Sequence, residues 1–245
     1  MTPSGGCFAM TDTATDPVAP AALDRLVDAI LPHVAFDGWS EPAFAAAAAA
    51  CEMSAAEARL SAPRGALDLA VAFHRRGDRR MVEALGAEPL EDMRFRDRVA
   101  RAVRLRLDVA GDREAVRRGT ALFALPIHAA EGSRLIWGTA DAIWTALGDT
   151  SDDVNWYTKR ATLSGVYGAT VLYWLGDDSL EHQATEAFID RRIEDVMTIE
   201  KLKAQAKANP VLRPVMAQLD RLGALIKPPR DLSEELPGRW TLPRS

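Results

Sequence analysis

The chain has 245 residues, 27% charged and 48% hydrophobic, with a formal net charge of −5, enough length for one sizeable core and at most a small appended domain. That acidic balance argues against a general nucleic-acid binder, whose electrostatic footprint is basic. Two unpatterned cysteines, Cys7 and Cys51, and no apolar run near about eighteen residues argue against a disulfide scaffold and a spanning helix.

Residues 1–20 are rich in Thr, Pro, Gly, Ser and Asp, the composition of a disordered terminus, and Met10 is an alternative start within it. Beyond it, abundant Ala, Leu and Arg with few β-branched runs predict an all-α fold. Residues 21–63 read as three short helices. Ala22 to Val34 carries Leu23, Leu26, Val27, Ile30, Leu31 and Val34 at helical spacing; Gly38-Trp39-Ser40 introduces a second helix from Glu41 to about Cys51; Ser54 caps a third. This rhythm resembles the layout of TetR-type regulators, which makes a transcriptional regulator with a lipid-responsive pocket the rival functional reading. The third helix, Ser54 to Leu60, holds one Arg and one Glu among alanines, with Asp28, Asp37, Glu41 and Glu52 nearby in the sequence. Such a helix is poorly equipped to meet phosphates or read base edges. The helix-turn-helix is therefore expected to be degenerate, and no nucleic-acid partner is expected.

Residues 64–208 read as a helical ligand-binding bundle. Pro63 to Ala72 predicts a helix with a polar end at Phe73 to Asp78. Met93 to Val109 places Phe95, Val99, Val103 and Leu107 on one face, and Arg94, Arg98, Arg101 and Arg104 elsewhere, as a solvated face or a contact to anionic headgroups. Arg118 to Pro126 is apolar, with Leu122, Phe123 and Leu125. Ser133 to Leu147 keeps Leu135, Ile136, Ala140, Ile143 and Leu147 on one face, and Gly148 supplies the φ > 0 position that ends such a helix. Asp149, Ser151, Asp152 and Asp153 offer N-cap acceptors for a helix over Val154 to Leu175, so the two helices are expected to pack as antiparallel neighbours. Trp156 and Tyr157 fall in the first turn of that helix beside Lys159 and Arg160, either capping the core or exposed as a partner contact. The helix continues with Leu163, Val166, Tyr167, Val171, Leu172 and Trp174; Asp178 and Glu181 then have capping-box spacing before a helix carrying Ala184, Phe188, Ile189, Ile193 and Val196. Helices apolar over such wide arcs are deeply buried, lie at a dimer interface or line a cavity.

After the polar stretch Lys201 to Asn209, residues 209–227 place Leu212, Val215, Met216, Leu219, Leu222 and Ile226 at the helical period. That pattern suits an interfacial membrane helix, a lid or an ordinary closing helix. Residues 228–245 read as a flexible tail. His33, His74, His128 and His182 are scattered, with no Glu-x-x-His pair, metal-ligand cysteine spacing, glycine-rich phosphate loop or Gly-x-Ser-x-Gly elbow. No catalytic residue, metal or cofactor is expected.

Gly148-Asp149, Ser151, Asp153 and the run Asn155-Trp156-Tyr157-Thr158-Lys159-Arg160 resemble the signature of the coenzyme Q (ubiquinone) biosynthesis accessory family, the lipid-binding COQ-nine proteins. Asp141, Trp144, Tyr167, Thr170, Phe188, Arg191 or Arg192, and Ile193 support the match. It covers about Arg118 to Met197, and the N-terminal half only by helix pattern. Val154 departs from the usual Phe, and Leu125 to Ala130 lacks the usual Asn and second Pro. The resemblance implies a TetR-like fold, a homodimer, and a cavity holding an isoprenoid quinone or phospholipid. Its walls are assigned to Leu122, Phe123, Leu135, Ile136, Leu163, Tyr167, Val171, Trp174 and Phe188. It also implies a peripheral place on the inner, cytoplasmic face of a membrane, reached through the last helix. A di-iron hydroxylase is expected to dock around Asp141, Ile143, Trp144, Trp156, Tyr157 and Arg160. The implied role is non-catalytic: presenting a polyprenyl quinone precursor to the di-iron demethoxyubiquinone hydroxylase.

Overall fold

The computed structural model describes residues 18–151 and 154–208, and the elements formed among them are all helices. The capping role expected of Asp152 and Asp153, the termini at 1–17 and 228–245, and the amphipathic segment of Leu212, Val215, Met216, Leu219, Leu222 and Ile226 lie outside the described residues. The chain divides into two units. One holds the residues up to Phe73 together with Glu114–Gly119; the other holds His74–Arg113 and the residues from Thr120 onward. The seam thus falls inside a helix, later than the expected boundary at residue 63.

The first unit contains α1 (Val18–Asp37), α2 (Glu41–Ala50), α3 (Ala55–Ser61) and the start of α4 (Ala66–Gly86). Leu26, Val27, Ile30, Val34, Phe44 and Leu69 form its core. Gly38, at φ +68°, ends α1 and delivers Trp39 to the interior, where its indole N–H donates to the Ala115 carbonyl at 3.1 Å. Ser54 and Glu57 close the capping box: the Ser54 N–H donates to Glu57 Oε2 at 2.8 Å, and the Glu57 N–H to Ser54 Oγ at 3.2 Å. On α3, Arg59 is tied to Glu41, donates to the Pro63 carbonyl at 3.2 Å and lies 4.8 Å above the Phe44 ring. Its guanidinium is committed inside the unit.

The second unit holds the rest of α4, then α5 (Phe95–Asp108), the end of α6 (Arg113–Ala124), α7 (Ala129–Ala146), α8 (Val154–Leu175), a 3₁₀ turn (Leu180–His182) and α9 (Gln183–Ala208). Met81, Val103, Leu135, Ile143, Leu163 and Ile189 are buried in it. Helix α4 does not stop at Phe73 to Asp78 as its polar residues suggest. It runs on to Gly86 because His74 and Asp78 are partners of other helices, and because Gly77 lets another side chain lie against it. A Cβ at Gly77 would come within 2.6 Å of the Arg106 guanidinium carbon. Helix α9 also starts differently from the expected Asp178 and Glu181 box. Asp177 does the capping, accepting from the Ser179 N–H at 2.9 Å and from the Thr185 N–H and hydroxyl at 2.8 and 2.6 Å. Glu181 instead takes a left-handed conformation at φ +51°. The Ser179 and Thr185 donors hold the Asp177 carboxyl far below the usual carboxylate range.

Candidate functional site

The turn between α7 and α8 is a charged lock. Gly148, at φ +78°, ends α7 as expected and turns Asp149 inward, leaving its side chain 4% exposed. Asp149 and Ser151, expected as N-cap acceptors, bind each other and Lys159. The Asp149 carboxylate accepts from Lys159 Nζ at 2.7 Å, Ser151 Oγ at 2.8 Å and Arg160 Nη1 at 3.0 Å. Burial pushes the Asp149 carboxyl up, but the hydrogen bonds from Lys159, Ser151 and Arg160 outweigh it and bring it down to about 2. The Arg160 side chain is 3% exposed; it also binds Asp141, donates to the Trp156 carbonyl at 3.3 Å and stands 4.0 Å above the Trp156 ring. The rings of Trp156 and Tyr157 meet edge-on at 4.8 Å, and Trp137 joins them at 6.0 and 6.4 Å. Of the six residues assigned to partner docking, Arg160 and Ile143 are buried, and Trp144 lies in the wall of a cavity. Asp141, Trp156 and Tyr157 keep partial exposure.

That cavity, of about 180 Å³, lies among α5, α7, α8 and α9. Asn155, Thr158, Lys159, Thr162, Leu163 and Val166 supply one stripe of α8, and Phe95, Arg96, Val99, Trp144, Ile193 and Val196 supply the other walls. The α8 stripe follows from three- and four-residue spacing. It is polar toward the lock and apolar farther along the helix. Trp144 stacks on Phe95 at 5.6 Å, lies under Lys159 Nζ at 5.2 Å, and keeps a buried indole N–H that has no hydrogen-bond partner among the described residues. Arg96 is held by Glu194 and, at 3.0 Å, by Asp97.

Of the nine residues assigned to lipid binding, Leu163 is in this wall and the others stand elsewhere. Leu135 is buried within the bundle. Ile136 approaches α8 at Gly168, and Phe123 of α6 fills the space beside Gly132 of α7. Leu122 and Val171 are half-buried on α6 and α8. Trp174 lies beneath the Arg113 guanidinium at 5.5 Å, and Phe188 stacks on Tyr173 at 4.4 Å.

Tyr167 belongs to a polar cluster that the sequence reading missed. Thr139 Oγ1 is 2.9 Å from His74 Nε2 and donates to Asp78 Oδ1 at 2.8 Å. Arg106 Nε donates to the same oxygen at 2.7 Å and Nη2 to the His74 carbonyl at 3.0 Å, with the guanidinium 5.8 Å from the Tyr167 ring. Burial drives the His74 imidazole down to about 4, against the pull of Asp78, and burial raises the Tyr167 phenol. The one sequence signal was a His and an Asp four apart on a helix, straddling Gly77. The α5 arginines are likewise committed: Arg101 grips Glu88 at 2.6 Å, Arg94 meets Asp97 at 3.0 Å, Arg98 donates to two carbonyls and Arg104 pairs with Asp190. Among the described residues no group of three or more His, Cys, Asp or Glu is gathered for a metal ion, and no helix is long and apolar enough to cross a membrane.

Residues 129–200, which include the lock and most of the cavity wall, match the COQ9 family model. The mitochondrial ubiquinone biosynthesis protein COQ9 of Xenopus tropicalis is 31% identical over 187 residues, covering 71% of this chain and 57% of that protein. Its counterpart in Rattus norvegicus is 29% identical over 195 residues, covering 75% and 61%, and that in Homo sapiens is 27% identical over 195 residues, covering 75% and 60%. The chain thus spans about three-fifths of the length of these curated relatives. A TetR transcriptional regulator from Nitrosomonas europaea ATCC 19718 superposes with a TM-score of 0.58 at 22% identity, over 73% of this chain and 97% of that one, which shows a shared fold. The chain belongs to the COQ9 family, with that family's domain at residues 129–200 in a TetR-like all-α fold.

Proposed function

We propose that this chain is a non-catalytic accessory protein of ubiquinone biosynthesis, which binds a polyprenyl quinone precursor at a membrane surface and presents it to a di-iron hydroxylase. The observation that carries this reading is the cavity, whose wall combines apolar side chains with Lys159, Thr158 and Thr162 and falls mostly in the segment that matches the family. A polyprenyl chain does not leave a bilayer unaided, since each exposed CH₂ costs about 0.8 kcal/mol in water, so a protein-bound intermediate is needed if the ring is to reach a separate enzyme. The partly exposed Trp156 and Asp141, held in place by Arg160, and Tyr157, packed edge-on against Trp156, offer the hydroxylase an aromatic and acidic contact of the hot-spot kind. A second chain against this one completes the arrangement.

The regulator reading is disfavoured, because the single arginine of α3 is tied to Glu41 and the Pro63 carbonyl. The test is solvent extraction and mass spectrometry of protein purified without detergent, joined to a pull-down with the hydroxylase. An isoprenoid quinone in the extract and retention of the hydroxylase are expected. An extract free of isoprenoid quinone, with no hydroxylase retained, sinks the proposal.

A further inference from the structure

Resting on that reading, we infer that the cavity among α5, α7, α8 and α9 is a ring site. It takes the oxygen-bearing head of the ligand, one substituted quinone or phenol ring, and leaves the isoprenoid tail outside. Size is the first argument. The cavity is about 180 Å³; one of about 150 Å³ admits a single benzene ring, whereas pockets that enclose drug-sized ligands run to about 300–1,000 Å³. A ring with small substituents fits, and a polyprenyl chain does not.

Donor chemistry is the second argument. Trp144 brings to the wall a buried indole N–H that has no acceptor among the described residues, an arrangement that is costly until one arrives. Lys159 Nζ, 5.2 Å from the same indole ring, gives two of its three protons to Asp149 and Ser151 at 2.7 and 2.6 Å, which leaves one proton for water or for an oxygen of the ligand. An isoprenoid or acyl chain carries no acceptor for either group. A quinone carbonyl, a phenol oxygen or a methoxy oxygen does. Phe95, stacked on Trp144 and 46% exposed, gives an entering ring a partner for offset stacking.

The test uses the full chain freed of lipid, titrated calorimetrically with the tail-less dimethoxy-methyl-benzoquinone and, separately, with farnesene, an isoprenoid with neither ring nor oxygen. The quinone ring is expected to bind. Trp144→Phe, which keeps the ring and deletes the N–H, weakens it about three- to tenfold, and Val166→Trp, which fills the cavity, abolishes it. Circular dichroism melts identify a variant that has failed to fold, and in that case Lys159→Met replaces it, with a loss of about three- to tenfold expected for the lost donor. Failure of the ring to bind, binding that these folded variants leave unchanged, or farnesene binding that Val166→Trp removes would each overturn the ring site. The presenting reading would survive that result if isoprenoid quinone were still extracted from the purified protein, so the two failures are separable.

Discussion

Asp149→Asn removes one charge from the α7–α8 lock while keeping the shape of the side chain. The carboxylate is 4% exposed on its side chain and receives Lys159, Ser151 and Arg160, so the substitution leaves a buried guanidinium, itself 3% exposed, short of a counter-charge. Removing one partner of a buried pair costs about 3–5 kcal/mol. Asp141 still reaches Arg160 but its side chain is 43% exposed, and an exposed carboxylate contributes less; the net loss is therefore expected at about 2–4 kcal/mol. Urea unfolding at pH 7, followed by circular dichroism, measures it directly. The sign of the pH dependence is fixed as well. The Asp149 carboxyl is lowered from 3.8 to about 2, so its contribution is full above the unfolded value and is lost as pH falls through the folded one. The difference in stability between parent and variant should accordingly close between pH 4 and pH 2. A loss below about 0.5 kcal/mol at pH 7, or a double-mutant cycle with Arg160→Leu that is simply additive, refutes the lock.

Gly77→Ala should destabilise by about 1–2 kcal/mol in urea titrations, since the overpacking cost of a Cβ set 2.6 Å from the Arg106 guanidinium carbon exceeds the gain in helix propensity. His74 should make stability fall with acid: its folded pKa of about 4 lies below the ordinary 6.5, so the unfolded chain takes up the proton first as pH drops from 6.5 toward 4. That amounts to at most about 3 kcal/mol, and His74→Gln should flatten this limb of the stability-versus-pH curve. Ser54→Ala, which opens the α3 capping box, should cost about 1 kcal/mol by the same titration.

Helix positions were legible wherever apolar spacing and a terminating residue agreed: α8 begins and ends where the sequence places it, and Gly148 stops α7 as its freedom at positive φ requires. The reading went astray where a polar side chain had a long-range partner. His74 and Asp78 look like a helix end until Arg106 and Thr139, distant in sequence, are set against them. Asp149 looks like a cap until Lys159 and Arg160 return to it ten and eleven residues later. The string Asn155 to Arg160 was visible as unusual, but the burial of Arg160 within it was not, because the same Trp, Tyr and Arg serve a hot spot and a cation–π stack equally well. Trp144 was read as surface for the same reason; only the positions of Phe95 and Lys159 turn it into a wall.

Gly77 and Arg106 share one volume. The guanidinium lies where a side chain on the neighbouring helix would have to be, and it is fastened there by Asp78 and the His74 carbonyl. Substitutions at the two positions are therefore coupled. A larger residue at 77 costs less once the one at 106 has shortened, while a shortened residue at 106 deprives Asp78 of its guanidinium partner, so the three positions are expected to change together.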